Sequence, residues 1–103
     1  MGYDLHITKK DFWADENGQC ISREDWNNYV KTDNQIQHDT KNSIDDFLVS
    51  LEREHFPLWY NPDICEIYTN NPSEKLIDKL IKISEALGAR VQGDDGEIYP
   101  LTH

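Results

Sequence analysis

Apolar and polar residues alternate from the third position of this chain. Tyr3, Leu5 and Ile7 interleave with Asp4, His6 and Thr8, the period-two pattern of a strand with one buried face. Lys9 to Gln19 breaks the pattern. Asp15-Glu16-Asn17-Gly18 is turn chemistry, with Gly18 able to take a positive φ, so a loop is expected there. From Ser22 the period becomes helical. The Ser22 hydroxyl is placed to accept from the backbone N–H of Asp25, and Ile21 and Trp26 are spaced as a hydrophobic staple. Trp26, Tyr29 and Val30 then form one apolar stripe, which Thr32-Asp33-Asn34 ends.

The middle of the chain supports two readings. Ile44, Phe47, Leu48 and Leu51 recur at helical spacing behind Ser43, whereas Phe47, Val49 and Leu51 alternate as in a strand. Periodicity alone leaves helix or strand open at 44–54. The polar stretch Asp33–Asn42 is the segment most prone to disorder. Phe56–Tyr60 and Ile64–Thr69 are β-rich runs joined by Asn61-Pro62-Asp63, which predicts a hairpin with the proline held to its connection.

The last helix has the clearest signals. Asn71 is the expected cap, Pro72 the first helical residue, and Glu74 stands where a capping box wants a carboxylate. Leu76, Ile77, Leu80, Ile81 and Leu87 form its buried stripe. Asp78 and Lys82 lie on the other side in the favourable i,i+4 order, and Gly88 stops the helix. Ala89–Gln92, the turn Gly93-Asp94-Asp95-Gly96 and Glu97–Tyr99 read as a final hairpin. The expected fold is α+β, one domain over residues 1–103: a single layer of antiparallel-rich sheet with two main helices packed on one face.

Charge changes the picture more than length does. Twenty Asp and Glu stand against ten Lys and Arg, a net charge of −10 on 103 residues that still include three Trp and five Tyr. Such a surface repels nucleic acid and anionic lipid and attracts cationic partners. No apolar run approaches a membrane span, and no basic-then-apolar leader opens the chain. Cys20 and Cys65 are two cysteines in unlike contexts, read as reduced thiols of a cytoplasmic protein, with one disulfide as the alternative.

Candidate chemistry is sparse. Asp15, Asn17 and Glu24 match three positions of a calcium loop, but Trp13 occupies the first position, where a ligand oxygen is needed. The bland reading is a loop before a capped helix. His6, His38, His55 and His103 fall in unrelated places, with His6 on the polar face of the first strand, and no zinc spacing occurs. Cys65 reads as a small buried hydrophobe, and Cys20 lacks a local base. No catalytic residue, metal or cofactor is expected. Asp94, Asp95 and Glu97 suit a tight hairpin and equally an exposed contact. Phe12-Trp13 sits among Asp11, Asp15 and Glu16. Trp59 and Tyr60 occupy adjacent strand positions, so one of them points away from the core. Exposed aromatics ringed by carboxylates suit a surface that grips a cationic protein; covering the edges of the core is the other role open to Trp13 and Trp59.

Three stretches carry a resemblance. They are Met1-Gly2-Tyr3-Asp4-Leu5-His6-Ile7-Thr8, then Ile21-Ser22-Arg23-Glu24-Asp25-Trp26, and the closing run from Asn71-Pro72 through Ala86-Leu87-Gly88-Ala89-Arg90-Val91-Gln92-Gly93-Asp94-Asp95-Gly96-Glu97-Ile98-Tyr99. Together they cover 43 of the 103 residues, and on them the chain resembles small bacterial immunity proteins of polymorphic and contact-dependent growth inhibition toxin systems. The resemblance attaches no catalytic role to any residue. The middle, from Asn34 to about Glu54, departs from the pattern and is shortened. Similar proteins carry strand-forming sequence there, which favours a strand at Phe47–Leu51. The resemblance implies a cytoplasmic protein, not an enzyme, that neutralises a basic, nuclease-type toxin domain by stoichiometric binding. Its candidate contacts are Asp11, Trp13, Asp15, Glu16, Asp45, Asp46, Glu52, Glu54, Trp59, Asp94, Asp95 and Glu97. The alternative is a small enzyme or ligand-binding protein with a site between the sheet and residues 34–60.

Overall fold

The computed structural model describes residues 3–100. Its elements are β1 (Asp4–Thr8), α1 (Arg23–Thr32), β2 (Ile36–His38), β3 (Asp46–Leu51), β4 (Glu54–Asn61), β5 (Glu66–Asn70), α2 (Glu74–Leu87), β6 (Arg90–Gly93) and β7 (Ile98–Tyr99). The strands form one antiparallel sheet of seven, ordered β2-β3-β4-β5-β1-β6-β7. The N-terminal strand thus lies between β5 and β6, clamping the two halves of the chain. No helix among the described residues is long and apolar enough to cross a membrane.

Directly opposed residues of an antiparallel pair share a face, so the register sorts the side chains. Leu5, Ile7, Ile36, Phe47, Val49, Leu58, Tyr60, Ile67 and Val91 fall on one face, and all are buried. Both helices cover that face. Trp26 of α1 meets Phe47 edge-on with centroids 5.4 Å apart, while Leu76, Leu80 and Ile83 of α2 complete the core. The α+β layer with two helices against one side of the sheet is therefore as the sequence predicts.

Local chemistry explains the helix ends. Ser22 caps α1 and accepts from the Asp25 N–H at 3.0 Å, as its spacing predicts. At α2 the cap is Ser73 instead of Asn71. Asn71 takes a positive φ of 46° and its Oδ1 accepts from the Tyr3 N–H, so it ties β1 to the α2 entry and leaves capping to the serine. Gly88 ends α2 in the left-handed conformation at φ 67°, a region where a Cβ is disfavoured. The α2 lysines bond across elements. Lys75 meets Glu52 and Glu54, and Lys79 meets Asp33.

The middle resolves as strands. Phe47, Val49 and Leu51 are buried in alternation, whereas Ile44, which a helical stripe needs inside, is 65 % exposed. Asp33–Asn42, expected as the segment most prone to disorder, contributes β2 to the sheet. Ile36 is buried opposite Val49 and opens β2, three residues too short to show a period. Pro57 lies inside β4, opposite Leu48. The β4–β5 ladder covers only Trp59 to Asn61, so Pro57 lies beyond it, where its carbonyl accepts from the Thr69 hydroxyl at 2.7 Å and no ladder N–H is needed.

Cys20 and Cys65 are joined in a disulfide, with Cα atoms 5.2 Å apart, which corrects the expectation of reduced thiols. Two cysteines 45 positions apart carry no spacing signal. What brings them together is the chain path, in which Ile21 N–H bonds to the Cys65 carbonyl. Loop-closure entropy over that separation predicts that reduction lowers unfolding free energy by about 2–4 kcal/mol. Urea unfolding with and without a thiol reductant measures it, and an unchanged midpoint would contradict this.

Candidate partner-binding face

The second face of the sheet carries no helix. The register places Asp4, His6 and Thr8 of β1 on it, with Asp46, Leu48 and Ser50 of β3, His55, Pro57, Trp59 and Asn61 of β4, and Glu66, Tyr68 and Asn70 of β5. None of these residues of β1, β3, β4 and β5 is Lys or Arg; the face gains a cation only at its β6 end, where Arg90 lies opposite Thr8 and bonds the Lys10 carbonyl and Asp11. One cross-strand row runs Asp46, Trp59, Tyr68, His6, Gln92, Ile98.

At the β1–β6 end the row is roofed by the loop between β1 and α1. Trp13 stacks on His6 with ring centroids 3.8 Å apart and planes within 5°. Its backbone N–H donates to Gln92 Oε1 and its indole N–H to the Asp94 carbonyl. Gln92 Nε2 returns a bond to the Asp11 carbonyl, and Lys10 Nζ donates to the Asp15 carbonyl. Buried backbone groups of an irregular loop need such partners. Gln92 and Lys10 supply them.

Beneath Trp13, His6 is only 4 % exposed and both ring nitrogens meet carboxylates. Nδ1 faces Glu66 Oε2, and Nε2 faces Asp94 Oδ1 at 2.9 Å. Burial disfavours the charged ring, but the Glu66 and Asp94 carboxylates outweigh it and raise the His6 pKa. Asp94 is shifted down: burial opposes its charge, while the Asp4 N–H and His6 overcome that. Glu66, fully buried, is pushed up by burial, which His6 offsets only in part. With both nitrogens occupied, His6 has no lone pair to offer a substrate. It acts as a buried ionic bolt joining β1, β5 and the β6–β7 turn.

These directions fix a pH dependence. The raised His6 pKa means that its imidazolium stabilises the fold fully below about pH 6.5 and fades as pH climbs through the folded-state value. The raised Glu66 pKa adds stability that is full only below about pH 4.3 and fades as pH climbs through its folded-state value. Asp94 and Asp33 are shifted down; burial opposes the Asp33 charge, but Lys79, Tyr29 and the Gln35 N–H prevail. Their contribution is present above about pH 4 and lost below it. The melting temperature is therefore expected to peak at about pH 4 to 4.5 and to decline as pH climbs from there. Replacing both partners, His6→Gln with Glu66→Gln, should flatten the decline, and an equally steep decline in that double variant would contradict the assignment.

The twelve sequence candidates do not form one site. Asp11, Trp13, Asp15 and Glu16 lie in the roof loop beside Asp94, while Asp46 and Trp59 share the open row. Trp13 and Asp94 are largely engaged internally. Asp45 pairs with Arg23, which lies 4.9 Å from the Tyr60 ring centroid on the helix-covered side. Glu52 and Glu54 hold Lys75. Glu97 packs with Tyr3 against Gly93, on the helix-covered side by register, and Asp95 is exposed in the turn. Tyr68 stands in the open row and Asp4 beside it on the same face, although the sequence singled out neither. The available signal was the period-two placement of Asp4 and His6 on one face of β1. His6 is on the polar face as expected, yet buried, because Trp13 covers it; His103 lies outside the described residues.

Two clefts of about 470 and 310 Å³ open elsewhere. The first lies between the helices, with Asp25, Tyr29 and Leu87 in its lining, and the second is lined by Tyr3, Pro72 and Tyr99 among others. Neither is lined by a residue of 34–60. No protein-family model matches this chain, and neither a curated protein nor a solved structure is similar to it at a significant level.

Proposed function

We propose that this protein is an immunity-type inhibitor that binds a basic, nuclease-type toxin domain one to one and neutralises it without turnover. The observation that carries the proposal is the helix-free sheet face, where Asp4, Asp46, Trp59 and Tyr68 lie together and no Lys or Arg of β1, β3, β4 or β5 projects. A nuclease needs a basic surface to hold a polyanion, and an acidic face competes for that surface and speeds encounter. Half-buried aromatics within the face supply contact area of the kind that anchors interfaces. The resemblance of the chain's ends to immunity proteins points the same way, as does a net charge of −10. The proposal places the protein in the cytoplasm, where an imported nuclease acts. There the Cys20–Cys65 bridge faces a reducing thiol pool, so the fraction of bridged molecules in cells reads out the compartment.

The proposal expects an adjacent gene to encode a secreted protein that ends in a toxin domain, and the test is co-expression of this chain with that domain. The expected result is survival of cells that die when the toxin domain is expressed alone, together with a 1:1 complex of about nanomolar affinity. Cell death despite folded protein, or the absence of a complex, overturns the proposal.

A further inference from the structure

The open row is not uniformly acidic, and its chemistry narrows what it receives. Trp59 and Tyr68, directly opposite each other on β4 and β5, have ring centroids 5.3 Å apart and planes tilted by 34°. Both are half-buried, with no helix over them. Asp46 is opposite Trp59 at one end of the pair. At the other, Asp4 lies on the same face, one strand over and diagonal to Tyr68, within reach of a large side chain. Asp46 is bonded by Ser43 and Asp4 by Asn70. Neither carboxylate has a cation within ion-pair distance among the described residues.

We propose that Trp59 and Tyr68 form a platform on which an arginine of the partner protein lies flat, its guanidinium directed to Asp46 or Asp4 at the platform's edges. The planar guanidinium stacks on aromatic faces and bonds carboxylates in a fork, whereas a lysine ammonium does only the second well. A platform with acids at both ends and no cation of its own complements that group in shape and charge. The surrounding charge is already felt within the row. Burial raises the Tyr68 pKa, and the Asp4, Asp46, Glu66 and Asp45 carboxylates raise it further. A cation seated above the ring relieves that repulsion. The neighbouring His6 site differs, since its cation is internal and Trp13 closes it from above.

This inference rests on the inhibitor reading only for the identity of the partner, and its test needs no toxin. L-argininamide is titrated into the protein while the three indole N–H resonances are followed by NMR. The Trp59 resonance is expected to shift saturably, with half-saturation on the order of 10 mM, and the Trp26 resonance to stay in place. Lysinamide is expected to bind at least about threefold more weakly. An Asp4→Asn/Asp46→Asn double variant should weaken argininamide at least about fivefold. Glu54→Gln, which neutralises an acid outside the row, should change nothing. An unshifted Trp59 resonance, equal binding of lysinamide, or unchanged affinity in the double variant overturns the seat. Tyr68→Phe, which keeps the ring, provides a folded comparison if the double variant unfolds, and it should retain the platform. A failed titration with intact toxin neutralisation overturns the seat alone. A successful titration without neutralisation overturns the inhibitor reading alone.

Discussion

Replacing His6 with alanine is expected to lower folding stability by about 3–5 kcal/mol, the range for breaking one side of a buried ion pair. Glu66 is fully buried and bonds only to His6, through Oε2, while its Oε1 has no partner among the described residues. Without the ring, a carboxylate stays in the sheet with no hydrogen bond, and burying such a group unpaired is strongly unfavourable. Trp13 loses its stacking surface, and Asp94 loses the bond that anchors the β6–β7 turn. Adding Glu66→Leu to His6→Leu should recover most of the loss, since apolar replacement of a whole buried pair is often neutral. Urea unfolding of wild type, His6→Ala and the double leucine variant checks both statements. A loss below about 1 kcal/mol in the single variant would show that the pair is not structural.

Trp26→Ala is expected to cost about 3–5 kcal/mol as well, through cavity formation at the helix–sheet contact. The indole is 0 % exposed, stacked near Tyr29 at 6.0 Å and edge-on to Phe47. Its N–H, however, has no hydrogen-bond partner among the described residues. An unsatisfied buried donor carries a penalty, so Trp26→Phe should cost well under half as much as Trp26→Ala. Unfolding midpoints of the two variants test the difference. Equal losses would mean that the indole nitrogen is bonded in solution.

Much of this architecture was legible because its signals are local. Period two at Tyr3–Ile7, the Ser22 cap and the Gly88 stop each depend on a few adjacent residues, and each appears where its chemistry requires. What the sequence hid is set by contacts between distant strands. His6 reads as a polar-face residue until Glu66, 60 positions on, and Asp94, 88 positions on, are brought against it. Cys20 and Cys65 are paired by the path of the loop into α1, and β2 is a strand only because β3 lies beside it. The candidate face was half legible. Charge and aromatics were visible, but the face that Trp59 shares with Tyr68, Asp4 and Asp46 follows from strand order. The same order sends Asp45, Glu52, Glu54 and Glu97 elsewhere.

The central claim is that the open sheet face, and not the acidity of the chain as a whole, meets the partner. Two charge reversals of equal size separate these ideas: Asp46→Lys on the open face and Asp78→Lys on the exposed side of α2. Each is to be titrated calorimetrically against the toxin domain that the proposal expects an adjacent gene to encode. Asp46→Lys is expected to raise the dissociation constant by about 100-fold, as loss of a central contact does, and Asp78→Lys by less than about threefold. Equal effects of the two, or a larger effect of Asp78→Lys, would contradict the account.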